Sequence, residues 1–225
     1  MNFVIQTNLK IMNSHKNLEF LEEEAINEAL KGNYKKAIEV NKQIISDNPS
    51  YLDAHLRLGF AYFQINNFNC AKRYYQNALK IQPANQIAKN NLEKIRILGK
   101  KGKDKNDKKN NTPLDPNLFL NIFGKTKVIP LVNLGQINLL AKLKVGQKIN
   151  LKIKKRRLEV RNKQKEYIGA LPDDISKRLI YFILAKSSYS AYIKETSKKH
   201  VDIFVKEETK GKKVTKLISF NRFNN

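Results

Sequence analysis

Shifted against itself by 34 residues, the N-terminal half of this chain brings small, turn and proline positions into register. Ala25 falls on Gly59, Asn33 on Asn67, Tyr34 on Phe68, Ala37 on Ala71 and Pro49 on Pro83. A unit repeating at that period is one helical hairpin that cannot bury its own apolar face, so copies must stack to form a core. The second copy is the fuller one, with Leu58, Gly59, Tyr62, Ala71, Tyr75, Ala78 and Pro83. Gly59, Ala71 and Ala78 let two helices cross closely, while Tyr62 and Tyr75 fill the space beside the crossing. Pro83 cannot continue a helix, and Gly32-Asn33 and Asn66-Asn67 suit the turns within each hairpin.

This pattern resembles the tetratricopeptide repeat over residues 18–98. The first copy departs from it at Glu24 and Asn41, where apolar residues are usual. Residues 84–98, with Ile87, Leu92 and Ile95 apolar, read as one more helix capping the array. The resemblance implies a groove lined by the first helix of each repeat, presenting Glu22, Ile26 and Leu30, then Leu56, Phe60 and Phe63. The Lys, Arg and Asn residues with which carboxylate-binding members hold an acidic tail are missing there, so an apolar segment of a protein partner is expected instead. Phe60 and Phe63 have a second reading, as core inside the array. With only two full copies, packing against the rest of the chain or against a second copy, a homo-oligomer, is also expected.

Charge divides the chain. Of a net +24, residues 1–98 carry 13 Lys and Arg against 9 Asp and Glu, whereas residues 128–225 carry 23 against 8. Between them, residues 99–112 hold two glycines and six lysines among polar residues and nothing that can be buried, so 99–127 reads as a basic linker. Leu114, Leu118, Phe119 and Ile122 predict a short helix near its end. Gly124, Lys125 and Thr126 imitate part of a phosphate-binding loop, but Phe119 stands where that loop needs glycine.

From Val128 the apolar period changes to two. Ile149, Leu151 and Ile153 alternate with lysines, Leu158 and Val160 with Arg157, Glu159 and Arg161, and Val201, Ile203 and Val205 repeat the pattern. Val214 to Phe220 suggests another strand, and Asp173 reads as the N-cap of a helix carrying Ile175, Leu179 and Phe182. The run from Tyr167 to Pro172 with the helix after it, followed by Tyr189–Tyr192 and Val201–Val205, resembles the HIRAN family over about residues 130–208. That resemblance implies a small closed β-barrel associated with single-stranded DNA. Where the family carries an Asn, Asp and Ala stretch this chain has Lys154–Arg157 and Asn162–Lys165, so its end-binding residues do not transfer. Beside it stands a reading from the residues themselves. Lys148, Lys152, Lys154, Arg157 and Arg161 would share one sheet face, with Tyr167, Tyr189 and Tyr192 as stacking platforms for single-stranded nucleic acid. The alternative is a structural or protein-interaction module whose lysines are merely solvated.

The fold expected is therefore multidomain, α + (α+β): a helical hairpin array followed by a small basic β-barrel with one helix. Its parts are an N-terminal extension (1–17), two repeats with a capping helix (18–98), a linker (99–127) and a barrel (128–220). His15, His55 and His200 lie far apart, and Cys70 is the one cysteine, so no catalytic set, metal site or cofactor is expected. A non-enzymatic adaptor is the expected function. No apolar run is long enough to span a membrane and no signal peptide precedes Met12, an alternative start, so a cytoplasmic setting is expected.

Overall fold

The computed structural model describes residues 17–99 and 115–220, and divides into two compact units, Met1–Pro116 and Asn117–Asn225. The first unit is helical. Helix α1 covers 17–30, α2 Tyr34–Asp47, α3 Leu52–Gln64, α4 Phe68–Ile81 and α5 Gln86–Gly99. Gly32 (φ 81°) and Asn66 (φ 60°) take the left-handed conformation that ends the first helix of each hairpin. Asn67 then accepts from the Cys70 amide at 3.2 Å, capping α4. Pro49 and Pro83 lie in the connections between hairpins.

Helices α3 and α4 run antiparallel, because Phe63 meets Phe68 near the turn while Gly59 lies against Tyr75 further along. Tyr62 stacks on Tyr74 between these points, with ring centroids 5.5 Å apart. A core of Leu58, Ala61, Ala71, Tyr75 and Ala78 continues to Ala88 and Ile95 of α5. Leu21 and Ala25 of α1 pack with Val40 and Ile44 of α2 and Ala54 of α3. One period beyond Gly59 and Tyr62 stand Glu93 and Arg96, joined by an exposed ion pair of 2.7 Å. The small residue and the aromatic that would seat a following helix are thus replaced by charge.

The second unit is a six-stranded antiparallel sheet in the order β1-β6-β5-β2-β3-β4. Its strands are β1 Thr126–Pro130, β2 Lys148–Lys154, β3 Arg157–Arg161, β4 Tyr167–Ala170, β5 Ser188–Thr196 and β6 Val201–Thr209, with helices α6 Ile137–Lys142 and α7 Asp173–Leu184. The period-two residues point inward: Leu158, Val160, Ile203 and Val205 are buried with Ile129 and with Leu179 of α7. Ser176 ties α7 to β3, its hydroxyl accepting from the Leu158 amide and donating to the Leu171 carbonyl.

Three expectations need correction. The sheet is open, with β1 and β4 as its two ends, and the closed HIRAN-like barrel is not formed. Closure would need a ladder between those ends. Strand β1 instead stops at Pro130, which has no amide hydrogen, and the following loop reaches β4 by one isolated bridge, Val132 with Ala170, and by the Gly135 amide on the Ile168 carbonyl. The stretch Val214 to Phe220 is not a strand but follows a short 3-10 turn, Lys212–Val214. Asp173 does not cap α7; Pro172 holds the cap position without a side-chain bond, and Asp173 and Asp174 form the acidic first turn.

Candidate partner-binding groove

Glu22, Ile26 and Leu30 follow one another at four-residue spacing along α1, and Leu56, Phe60 and Phe63 lie on α3. The two helices are held side by side by Arg57, whose guanidinium reaches Glu22 at 2.8 Å. Its Nε donates to Asn41 Oδ1 at 2.8 Å, and Asn41 in turn donates to the Ala37 carbonyl at 2.7 Å. Arg57 also lies over the Tyr51 ring, and burial together with the Glu22 carboxylate pushes the Tyr51 phenol up. The polar residue that broke the repeat at position 41 is therefore the buried anchor of a three-helix joint.

The apolar residues divide between surface and core. Ile26 is 44% exposed, and Leu30, Leu56 and Phe60 are half-buried, Phe60 with its ring edge-on to Tyr34 at 6.2 Å. Phe63 is only 6% exposed and packs on Phe68, as core inside the array. Ile26 and Phe60 are one period apart, and one period beyond Phe60 stands Lys94, buried on α5. Reading the third helix in the same register would have found it; reading that helix only as a cap did not.

The basic face of the second unit is assembled as a geometry but not as a site. Register places Lys152 opposite Glu159, Lys154 opposite Arg157 and Asn150 opposite Arg161, so the five cations do share the outer face of β2 and β3. Glu159 stands among them. Arg161 binds it through Nε at 2.9 Å and Nη2 at 2.6 Å, and Lys154 approaches at 3.4 Å. These bonds, Arg161 first, hold the Glu159 carboxyl below its ordinary range. Arg157 pairs with Asp173 at 3.5 Å. Of the aromatic platforms, Tyr167 donates to the Asn133 carbonyl at 2.7 Å and carries Arg161 over its ring. Tyr189 is half-buried with its hydroxyl on Ser219 at 2.5 Å, and Tyr192 is held mid-sheet opposite Lys148 and Phe204. Lys154, Arg157 and Arg161 are thus matched to carboxylates and the hydroxyls of Tyr167 and Tyr189 are engaged, which leaves Lys148 and Lys152 rather than a basic cluster built for nucleic acid.

His55 is buried against Tyr74, with Nε2 on the Pro49 carbonyl at 2.8 Å and Nδ1 unpartnered. Cys70 is half-buried on α4. His15 lies outside the described residues. Among the described residues no group of three or more His, Cys, Asp or Glu could hold a metal ion, and no helix is long and apolar enough to cross a membrane.

No curated protein and no solved structure matches the chain. A family model, the tetratricopeptide repeat, matches residues 28–95, from the end of α1 to within α5. Over that span the chain is similar to a family of stacked helical hairpins, a fold that suits a protein partner and fits a non-enzymatic scaffold.

Proposed function

We propose that this protein is a cytoplasmic protein-interaction module whose helical unit holds a partner segment along α1 and α3. Ile26, Leu56 and Phe60 form the apolar floor, Leu30 and Phe63 support it, and Glu22 stands at its rim, fixed by Arg57. The observation that carries this reading is the exposure of Ile26 on α1 together with half-buried Leu56 and Phe60 on α3, two helices joined by the Arg57–Glu22 pair. A partner offering apolar side chains at helical or extended spacing would cover them. The single unpaired cysteine suits a reducing compartment.

The test places a photo-crosslinking residue at Ile26 or Phe60 of the full chain in its native cells, with Lys72, exposed on α4, as the control position. Groove positions should give discrete adducts that survive nuclease, and a self-partner would be seen as a crosslinked dimer. Equal labelling from Lys72, or none from the groove, contradicts the proposal.

A further inference from the structure

The segment that follows β6 is held in an unusual way. Arg178 of α7 donates to the Ser219 and Ile218 carbonyls, and Lys210 donates to the Leu217 carbonyl. Ser219 is fully buried, bonded to the buried Glu207 carboxylate and to Tyr189, and the Phe220 amide reaches the Gly124 carbonyl at 3.2 Å. Phe220 is buried against the Tyr189 ring. The backbone is thus fixed on both sides of Leu217 and Ile218, yet those two side chains remain 46% and 41% exposed.

The fixed backbone brings a second apolar stretch to the same place. Gly124 lies against Ile218, a Cβ built there coming 3.3 Å from its side chain, and just before it Ile122 and Leu120 are exposed, Leu120 by 59%. The rim is lysine: Lys125, Lys212, Lys213 and Lys216 are all exposed, while Glu207, the nearest carboxylate in this segment, is buried and engaged by Ser219 and Lys210. Four exposed aliphatic side chains on two segments that also carry four exposed lysines leave both apolar area and positive charge uncovered.

We propose that this end of the second unit docks an acidic, amphipathic segment of a partner protein, with apolar side chains on Leu120, Ile122, Leu217 and Ile218 and carboxylates on the surrounding lysines. Charge complementarity selects the acidic face. Four of the five exposed apolar side chains here, Leu120, Ile122, Leu217 and Ile218, are aliphatic and give a base no face to stack on; Phe123, 66% exposed, is the one ring among them. This surface is independent of the helical groove.

The test measures binding of a labelled helical peptide, Leu and Ile on one face and Glu on the other, to the full chain by fluorescence anisotropy. Lys212→Glu with Lys213→Glu and Lys216→Glu should weaken it by about tenfold or more, since rim charges govern encounter and orientation. Leu217→Ser with Ile218→Ser, exposed positions that leave the fold intact, should weaken it about fivefold through loss of the buried anchors. Lys148→Glu with Lys152→Glu, on the sheet face, and Ile26→Glu, in the groove, should change it by less than about twofold. Equal weakening by the sheet-face pair would show general charge attraction and overturn the proposal. So would the absence of saturable binding, or retention on phosphatidylserine vesicles that is lost in the same lysine and leucine variants.

Discussion

Replacing Gly59 by alanine tests the packing on which the helical unit depends. A Cβ at Gly59 would lie 2.7 Å from Cε1 of Tyr75 and 2.8 Å from two further ring atoms, and Tyr75 is buried with 1% exposure. Two effects oppose each other. Alanine in a helix interior is favoured over glycine by about 1 kcal/mol. Overpacking a tight core costs about 1–3 kcal/mol, and a rigid, fully buried ring puts this site near the upper end. The net is a destabilisation of about 2 kcal/mol, which would raise local opening about 30-fold and lower the helical melting temperature by roughly 8–16 °C for a unit of this size. Hydrogen exchange of α3 and α4 amides in the full chain reads the first quantity, and far-ultraviolet circular dichroism reads the second. Gly59→Ala combined with Tyr75→Leu should be less damaging than the two changes summed, because the shorter side chain relieves the clash. A Gly59→Ala variant as stable as the parent would refute the close crossing of α3 and α4.

Other expectations follow from the same geometry. Arg57→Ala leaves buried Asn41 without its Arg57 bond and Glu22 without its ion-pair partner, and should cost about 1–3 kcal/mol in urea unfolding of the helical unit; Arg57→Lys should recover only part, because an ammonium cannot span both acceptors. At Gly211 an added Cβ would meet the Ala185 carbonyl oxygen at 1.8 Å, so Gly211→Ala should accelerate hydrogen exchange in β5 and β6 while the helical amides stay unchanged. Burial pushes the Tyr189 phenol up to about 12 from 10.0. Its folded value is the raised one, so its contribution is complete below about pH 10 and is lost as pH rises through about 12. Unfolding midpoints of the second unit should fall across that window, and Tyr189→Phe should flatten the fall.

The helical unit was legible because one period carries it. Glycine, alanine and proline at fixed offsets specify crossing, pairing and termination together, and each is a local steric demand. Strands β2, β3 and β6 were legible for the same kind of reason, since alternation of Leu158, Val160, Ile203 and Val205 with polar residues is local. What the sequence did not show was how distant edges meet. Whether β1 and β4 pair as strands depends on where the chain turns after Pro130, which alternation does not encode. The basic face failed differently. Glu159 has the same parity as Arg157 and Arg161, so its place among the cations could be read, but counting positive charge alone passed over it. For the candidate groove, the family resemblance named Ile26 and Phe60, but their exposure, and the joint made by Arg57 and Asn41, required three helices in space.

The central claim is that the helical array recognises another protein through the faces of α1 and α3. Its most direct test compares, by quantitative mass spectrometry, proteins retained from nuclease-treated extract by the full chain and by its Ile26→Glu variant. Ile26 is exposed, so the substitution alters the surface without removing core. The account predicts a discrete set of proteins that nuclease leaves in place and the variant loses. The same set retained equally by both forms would contradict it.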